Sequence, residues 1–490
     1  MSRTTGGSLV LSGIGLLFHA TAFALPEREE LPKTSALLKW DSHKTYLAQD
    51  EIHYQQDVYR AKWWTQGDVP QPQKQSSPWD FLYPCDTRCK SDDTQPPKKG
   101  PQPKEGGGYT ILRDEIMLAE QEKTSFPLFQ QVKASIETRS NQVVEQVMPN
   151  RSSNPENVKR VEHILSQADW NEIFPMRHPA YTYRRFLQAV AKFEGFCASF
   201  EDGRNAEVIC RQSLATMFAH FTQETGGHDP NSEIDEWRQG LVHVREMGCE
   251  EGGYGCGYNA ECDPGTWQGK TWPCGTNAEG RYLQYFGRGA KQLSYNYNYG
   301  PFSQAMFGDV RVLLEQPTLV ADTWLNLASA VFFFVYPQSP KPSMQHVIDG
   351  TWQPNDHDQA NGILPGFGAT TNIINGGIEC GSGSESPQST NRIAYYKAHA
   401  KNLGVDISGE SLGCADQKRF DTSGAGALNI YWDQDWSYYP DMPEGKSFAC
   451  KLVGYQTAFL ALNPGNYQSC VEKYFDVEVV EQHPVSPRSF

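Results

Sequence analysis

Apolar residues recur at three- and four-residue spacing over 183–193, 213–224, 322–335 and 391–403, and each stretch predicts a helix with one inward-facing stripe. Residues 114–147 carry the same period with a break at Pro127, where the ring cannot continue a helix, and 158–168 reads as a further helical piece. A short apolar stretch at 455–462 also reads as helical. The pattern over 35–83 differs: it is rich in Trp and Tyr and lacks a stripe long enough to build a helical core, which predicts a small β module. Over 84–108 the apolar positions nearly vanish into Pro, Lys, Gly, Asp and Gln, ending in three glycines, the composition of a flexible linker. The predicted fold class is therefore a mainly α body with a small N-terminal β module. Residues 109–175 form a helical N-terminal extension of that body, and 416–490, with Trp432, Trp436 and Tyr438, form a C-terminal extension packed on it.

The first 24 residues read as a cleaved secretory signal: Arg3 precedes an apolar run over 9–23, with small residues at Ala22 and Ala24. A membrane anchor fits less well, because Gly13 and Gly15 interrupt the run and it falls short of the roughly 20 residues a span needs. Twelve cysteines, an even number in an exported chain, predict disulfides. Spacing suggests Cys85 with Cys89 and Cys450 with Cys470, with Cys197, Cys210, Cys249, Cys256, Cys262 and Cys274 pairing among themselves. The cluster from Cys249 to Cys274 lacks paired Cys-x-x-Cys spacing and the histidines lack ligand spacing, so the reading expects neither metal nor cofactor. Gly287 and Gly289 lack the Lys-Ser/Thr that a phosphate loop requires. A formal charge of −15 disfavours nucleic acid and anionic membrane surfaces and suits a neutral polymer.

The chemistry lies in two glutamates. Glu224 falls three residues after Phe221 and seven after Met217, on the stripe that also holds Leu214 and Phe218, so it points inward. Gly226 and Gly227 end that helix, and a helix C-terminus together with partial burial predicts a raised carboxyl pKa. Without other signals, a glutamate at a helix end is more often a surface residue. Glu246 lies in a short apolar run, with Glu250 and Glu251 as competing carboxylates and Arg245 as a potential ion-pair partner. A Tyr- and Asn-rich block over 285–300 follows, and amides and phenols bind sugar hydroxyls without adding charge. Two carboxyls beside such a block point to glycoside hydrolysis.

Six ordered strings carry a resemblance: YTYRRF at 181–186, QETGG at 223–227, FGRGAKQLSYNYNYG at 286–300, PQSPKPS at 337–343, PGFG at 365–368 running into TNIINGGIEC at 371–380, and NRIAYY at 391–396. In that order they resemble the family 19 glycoside hydrolases, which are endochitinases, and the resemblance spans about 181–414. It implies a lysozyme-like bilobal catalytic domain over 176–415 that cleaves β-1,4-linked N-acetylglucosamine with inversion, Glu224 as general acid and Glu246 as general base. An inverting pair stands about 6.5–9.5 Å apart, leaving room for a water. The family motif His-Glu-Thr-Thr-Gly-Gly has Gln223 in place of its histidine here and lacks one threonine. The resemblance further implies that Ser294 positions the water and that Tyr285, Gln292, Asn298, Gln338, Lys341 and Asn375 line the sugar cleft. It implies that Arg392 and Glu379 form a charged network holding the acid, and that Cys380 pairs with Cys414. The string YRAKWWTQG at 59–67 resembles the family 5/12 chitin- and cellulose-binding modules, with Tyr54, Trp63, Trp64 and Trp79 as candidates for the sugar-binding face. Adjacent residues on a strand face opposite sides, so one of Trp63 and Trp64 is expected outside. The reading is a secreted, extracellular, monomeric endochitinase whose partner is chitin or chitooligosaccharides, without nucleic acid or membrane. A peptidoglycan hydrolase and a noncatalytic chitin-binding lectin are the alternatives.

Overall fold

The stretches predicted helical over 183–193, 213–224, 322–335 and 391–403 fold largely as helices, while 455–462 does not. The computed structural model describes residues 38–40, 44–46, 50–54, 57–66, 70, 77–84, 100–252 and 256–481, in two units, Met1–Lys98 and Lys99–Phe490. The signal segment and the Cys85–Cys89 pair fall outside the described residues.

The first unit contains β1 (Leu38–Lys39), β2 (Thr45–Tyr46), β3 (Glu51–Tyr54), β4 (Asp57–Ala61), β5 (Thr65–Gln66) and β6 (Trp79–Pro84). One sheet runs β1-β3-β4-β6, and β2 pairs with β5. Tyr46, Ile52, Tyr59, Ala61 and Trp79 form its core. Trp79 is 1% exposed and meets Tyr46 edge-on at 5.1 Å, so it is a core residue and not part of a binding face. Tyr54 packs against Trp40. Trp63 and Trp64 are both exposed, because the chain bends at 62–63 instead of continuing as a strand, and the alternation rule does not apply.

In the second unit, β7 (Gln102–Pro103) and β8 (Tyr109–Leu112) form a hairpin closed by Lys104 N donating to Gly108 O at 3.0 Å. Residues 100–108, the end of the stretch read as linker, are therefore ordered: three glycines supply the positive φ that the turn needs. Helices α1 (Arg113–Thr124), α2 (Pro127–Ser135), α3 (Asn141–Glu145), α4 (Glu156–Ile164) and α5 (Gln167–Ile173) make the N-terminal extension. That extension satisfies the orphan carbonyls at the end of α6 (Tyr183–Lys192). Asn157 Nδ2 donates to Val190, Phe193 and Phe196 O, and Arg139 Nη1 to Ala191 O.

Helix α7 (Ala206–Thr225) starts at Asn205, whose side chain accepts from Glu207 and Val208 N. Leu214, Met217, Phe218 and Phe221 are all buried, and Trp170, Phe174 and Phe186 pack around Phe218. Then follow α8 (Trp267–Thr271), α9 (Asn296–Phe307), α10 (Arg311–Glu315), α11 (Leu319–Asp322), α12 (Leu325–Val335), α13 (Met344–Ile348), α14 (Asp356–Ala360), α15 (Phe367–Glu379) and α16 (Pro387–Leu403). The fold is mainly helical, and no helix among the described residues is long and apolar enough to cross a membrane.

The C-terminal extension pairs β9 (Tyr431–Gln434) with β10 (Cys450–Val453), adds α17 (Asn466–Phe475), and ends in β11 (Val477–Val480), which runs parallel to β8. Residues 455–462 are not helical. Trp432 N donates to Phe459 O and Ala461 N to Ile430 O, and this extended pairing uses the backbone that the apolar spacing had assigned to a helix. Five disulfides join described residues: Cys197–Cys210, Cys249–Cys256, Cys262–Cys274, Cys380–Cys414 and Cys450–Cys470.

Gly300 lets α9 lie on the face of buried Trp272, since a Cβ there would sit 2.3 Å from Trp272 Cε3. Alanine would gain up to about 1 kcal/mol of helix propensity, but overpacking of a rigid ring typically costs about 1–3 kcal/mol and more for so close a clash. Gly300→Ala is therefore expected to lower the urea midpoint of unfolding. An unchanged or raised midpoint would show that α9 and the ring separate freely.

Candidate active site

Helices α7, α15 and α16 converge on Arg392, which is 2% exposed. Its Nε and Nη2 each donate to Glu379 at 2.9 Å, Nη2 also donates to Glu224 Oε1, and Nη1 donates to His220 Nδ1 at 3.0 Å. His220 and Glu224 are one turn apart on α7 and share a face. Thr370 Oγ1 donates to Phe367 O and lies 3.1 Å from His220 Nε2, which places the imidazole proton on Nε2. Helix α15 is kinked at Asn375, whose Nδ2 donates to Glu379 Oε1 at 2.7 Å. Arg392 and Glu379 are thus both interior, and Glu379 is joined to Glu224 only through the guanidinium of Arg392.

Burial pushes the Glu224 carboxyl up, but Arg392, Lys291 and His228 together outweigh it and hold the group below the usual carboxylate range. This reverses the expectation of a raised pKa, which counted the helix end and desolvation but not two neighbouring cations. Lys291 itself is pushed down by burial, its ammonium lying over the Phe333 ring at 4.4 Å. It lines a cavity of about 20 Å³ with Glu224, His220, Met217 and Phe333.

The segment carrying Glu246 is latched to the residue after Glu224. Val242 and His243 N donate to Thr225 O, and Leu241 N donates to Thr225 Oγ1. Further on, Glu246 N donates to Gly287 O at 2.8 Å, and Gly287 N donates back to Glu246 Oε2 at 2.9 Å. A Cβ at 287 would meet Gln292 Oε1 at 2.8 Å and Glu246 Oε2 at 3.2 Å, so a larger residue there would displace both side chains. The other oxygen, Glu246 Oε1, accepts from Tyr258 Oη at 2.9 Å. Burial first, then the hydrogen bond to Glu246, pushes that phenol up to about 12, so it stays a donor. Ser294 is a hydrogen-bonding neighbour of the same phenol and donates to Gln292 O.

The competing acids separate by geometry. Glu251 is clamped by Arg245 at 2.9 Å and by buried Arg288 at 2.6 Å, and Arg245 also pairs with Asp322, so Arg245 turns away from Glu246. Glu250 is exposed. Glu246 thus has neutral donors on both oxygens.

Gln292 Nε2 donates to Gly289 O and Asn298 Nδ2 to Ser294 O, both half-buried beside Ser294. Lys341 Nζ donates to Ile373 O, and Gln338 bridges to Lys341. Tyr285 does not line a cleft: it is fully buried, its hydroxyl donating to Leu314 O and accepting from Gly275 N. Its place beside a polar motif gave no hint of which side it faced. Tyr258, Lys291 and His220 went unpredicted. Only His220 had a signal, its four-residue spacing from Glu224 on a helix.

Residues 160–414 match the family model described as chitinase class I, and residues 39–80 match carbohydrate-binding module family 5/12. Endochitinase 1 of Solanum tuberosum is 41% identical over 242 residues, covering 49% of this chain and 67% of its own length. The endochitinase of Persea americana is 36% identical over 271 residues, covering 54% and 75%. The crystal structure of chitinase C from Streptomyces griseus HUT6037 aligns over 77% of this chain and all of its own at 20% identity and a TM-score of 0.37, too loosely to place individual residues.

Because Lys291 and Arg392 both favour the ionised carboxylate, Lys291→Met is expected to move the titration of Glu224 to higher pH. A carbon-detected NMR titration of the Glu224 carboxyl reads this directly. No upward movement would show that Arg392 alone sets the charge.

Proposed function

The chain belongs to the class I chitinases of glycoside hydrolase family 19 and carries an N-terminal family 5/12 carbohydrate-binding module, and we propose that it is a secreted endochitinase acting through Glu224 and Glu246 with inversion. The observation that carries this reading is the contrast between two carboxyls joined by one latch at Thr225. Glu224 sits against fixed cations, and Glu246 sits among neutral donors.

Glu246 is the general base. Its two oxygens are oriented by Tyr258 and by Gly287 N, which leaves lone pairs for a water, and Ser294 beside Tyr258 is placed to hold that water. Glu224 is the general acid. In the free enzyme it is ionised and paired with Arg392. Its side chain is one-fifth exposed, and a neutral sugar filling the cleft would remove that remaining water, which raises a carboxyl pKa and favours uptake of the proton to be donated. Arg392, pinned by Glu379, holds the carboxyl in place and balances its charge once the proton has left. The half-buried amides of Gln292, Asn298 and Gln338 suit the hydroxyls and N-acetyl groups of the polymer. Exposed Trp63 and Trp64 offer flat rings to the apolar faces of chitin. Disulfides throughout the second unit fit an oxidising compartment.

With chitin hexasaccharide, the wild type is expected to release α-anomeric product first, read by proton NMR of fresh hydrolysate. Glu224→Gln and Glu246→Gln should each lose about 10²–10⁴-fold in turnover while still binding the oligosaccharide. Initial β-anomer would overturn inversion. Turnover surviving in Glu224→Gln would overturn its role as acid, and chitin binding without cleavage by the wild type would indicate a lectin.

A further inference from the structure

A row of aromatic rings leads away from Glu246. The Tyr258 phenol that holds the carboxylate meets Tyr295 edge-on at 4.9 Å, Tyr295 stacks on Tyr297 at 5.1 Å with 15° between planes, and Tyr297 faces Trp267 at 6.2 Å and 38°. The row ends at Trp267, which is 48% exposed, whereas Trp272, five residues on, is buried under Gly300.

Trp267 is held rigidly. It opens α8, whose N-cap Thr266 accepts from Gly269 N at 2.9 Å, and the Cys262–Cys274 disulfide closes the loop around it. Asn296, lying between Tyr295 and Tyr297 in the chain, donates through Nδ2 to Glu261, Gln268 and Trp272 O, so the Trp267 loop hangs from the start of α9. Gln456, in the C-terminal extension beyond the residues that match the family, donates to Tyr297 O at 3.0 Å and fixes the row from the other side.

A half-exposed indole fixed by a disulfide and by side-chain hydrogen bonds, continuous by ring contact with the base, is a pre-organised flat surface. The faces of a β-linked pyranose are apolar and match such a ring, while a chain of negative formal charge gives the neutral sugar no charged competitor among anionic polymers. We propose that Trp267, with Tyr297 behind it, is a distal sugar platform of the cleft that stacks a ring of the same chitooligosaccharide remote from the scissile bond. This rests on the reading of the cleft as a chitin site. Trp267 takes no part in bond cleavage: it selects for longer chains.

The test compares kcat/KM on chitin tetrasaccharide and hexasaccharide for the wild type, Trp267→Ala and Trp267→Phe. The expected result is a loss of about tenfold for Trp267→Ala on the hexasaccharide, the worth of one good aromatic contact, carried in KM, with the tetrasaccharide rate held and Trp267→Phe restoring most of the loss. Equal losses on both lengths would mark a structural role and overturn the platform, as would no loss on either. A wild type inactive on both lengths would overturn the chitinase reading itself, and the platform with it.

Discussion

The structure of the site depends on one buried cation. Arg392 is closed off from water, and its donors are spent on Glu379, Glu224 and His220, from two different helices besides its own. A buried guanidinium tolerates no missing partner, because an uncompensated charge in the interior costs several kcal/mol. That requirement fixes the relative positions of α7, α15 and α16. It also gives a reason for the break in α15 at Asn375, whose backbone leaves helical angles and whose amide supports the outer oxygen of Glu379.

Charge counting explains why Glu224 is held low despite its burial. Arg392 and Lys291 supply two positive charges and Glu224 and Glu379 two negative ones, so the cluster is neutral with both acids ionised. A proton on Glu224 leaves one positive charge unbalanced in a poorly solvated place. Glu246 meets neutral donors instead, and the two carboxyls, though tied through Thr225 and the residues that follow it, have different neighbours.

Much of this was legible from residue order, for identifiable reasons. The inward aim of Glu224 follows from a period of 3.6 anchored by Met217 and Phe221, and both are buried. The ion network of Glu379 and Arg392 was carried by motif resemblance, while its depth in the protein was not, because periodicity does not say how many layers cover a helix. Lysine in a short polar block ordinarily faces solvent, yet here Lys291 lines a cavity with Met217 and Phe334 and sets its ammonium over the Phe333 ring. Tyr258 reaches Glu246 from beyond the Cys249–Cys256 disulfide, a return that no local pattern encodes. Trp79 and Tyr285 fail for the same reason: an aromatic residue next to polar neighbours is equally at home stacked on a ligand or buried with its one polar atom paired. The 455–462 segment shows the limit of spacing itself, since its helical period was overridden by backbone pairing with residues 430–432.

The parallel pairing of β8 with β11 has a consequence for the order in which the molecule comes together. Val477 aligns with Tyr109 and Val480 with Leu112, so 368 positions (477 − 109) separate the partners along the chain. Bringing such distant segments together costs roughly 5 kcal/mol of loop entropy if nothing between them has yet condensed, and far less once the intervening helices have folded. The contact therefore belongs to the last stage of assembly. A strand made early, covered on one edge by β7, must wait with its other edge bare until residues 477–480 have left the ribosome, and that open edge is where a nascent copy is most exposed to pairing with the wrong strand.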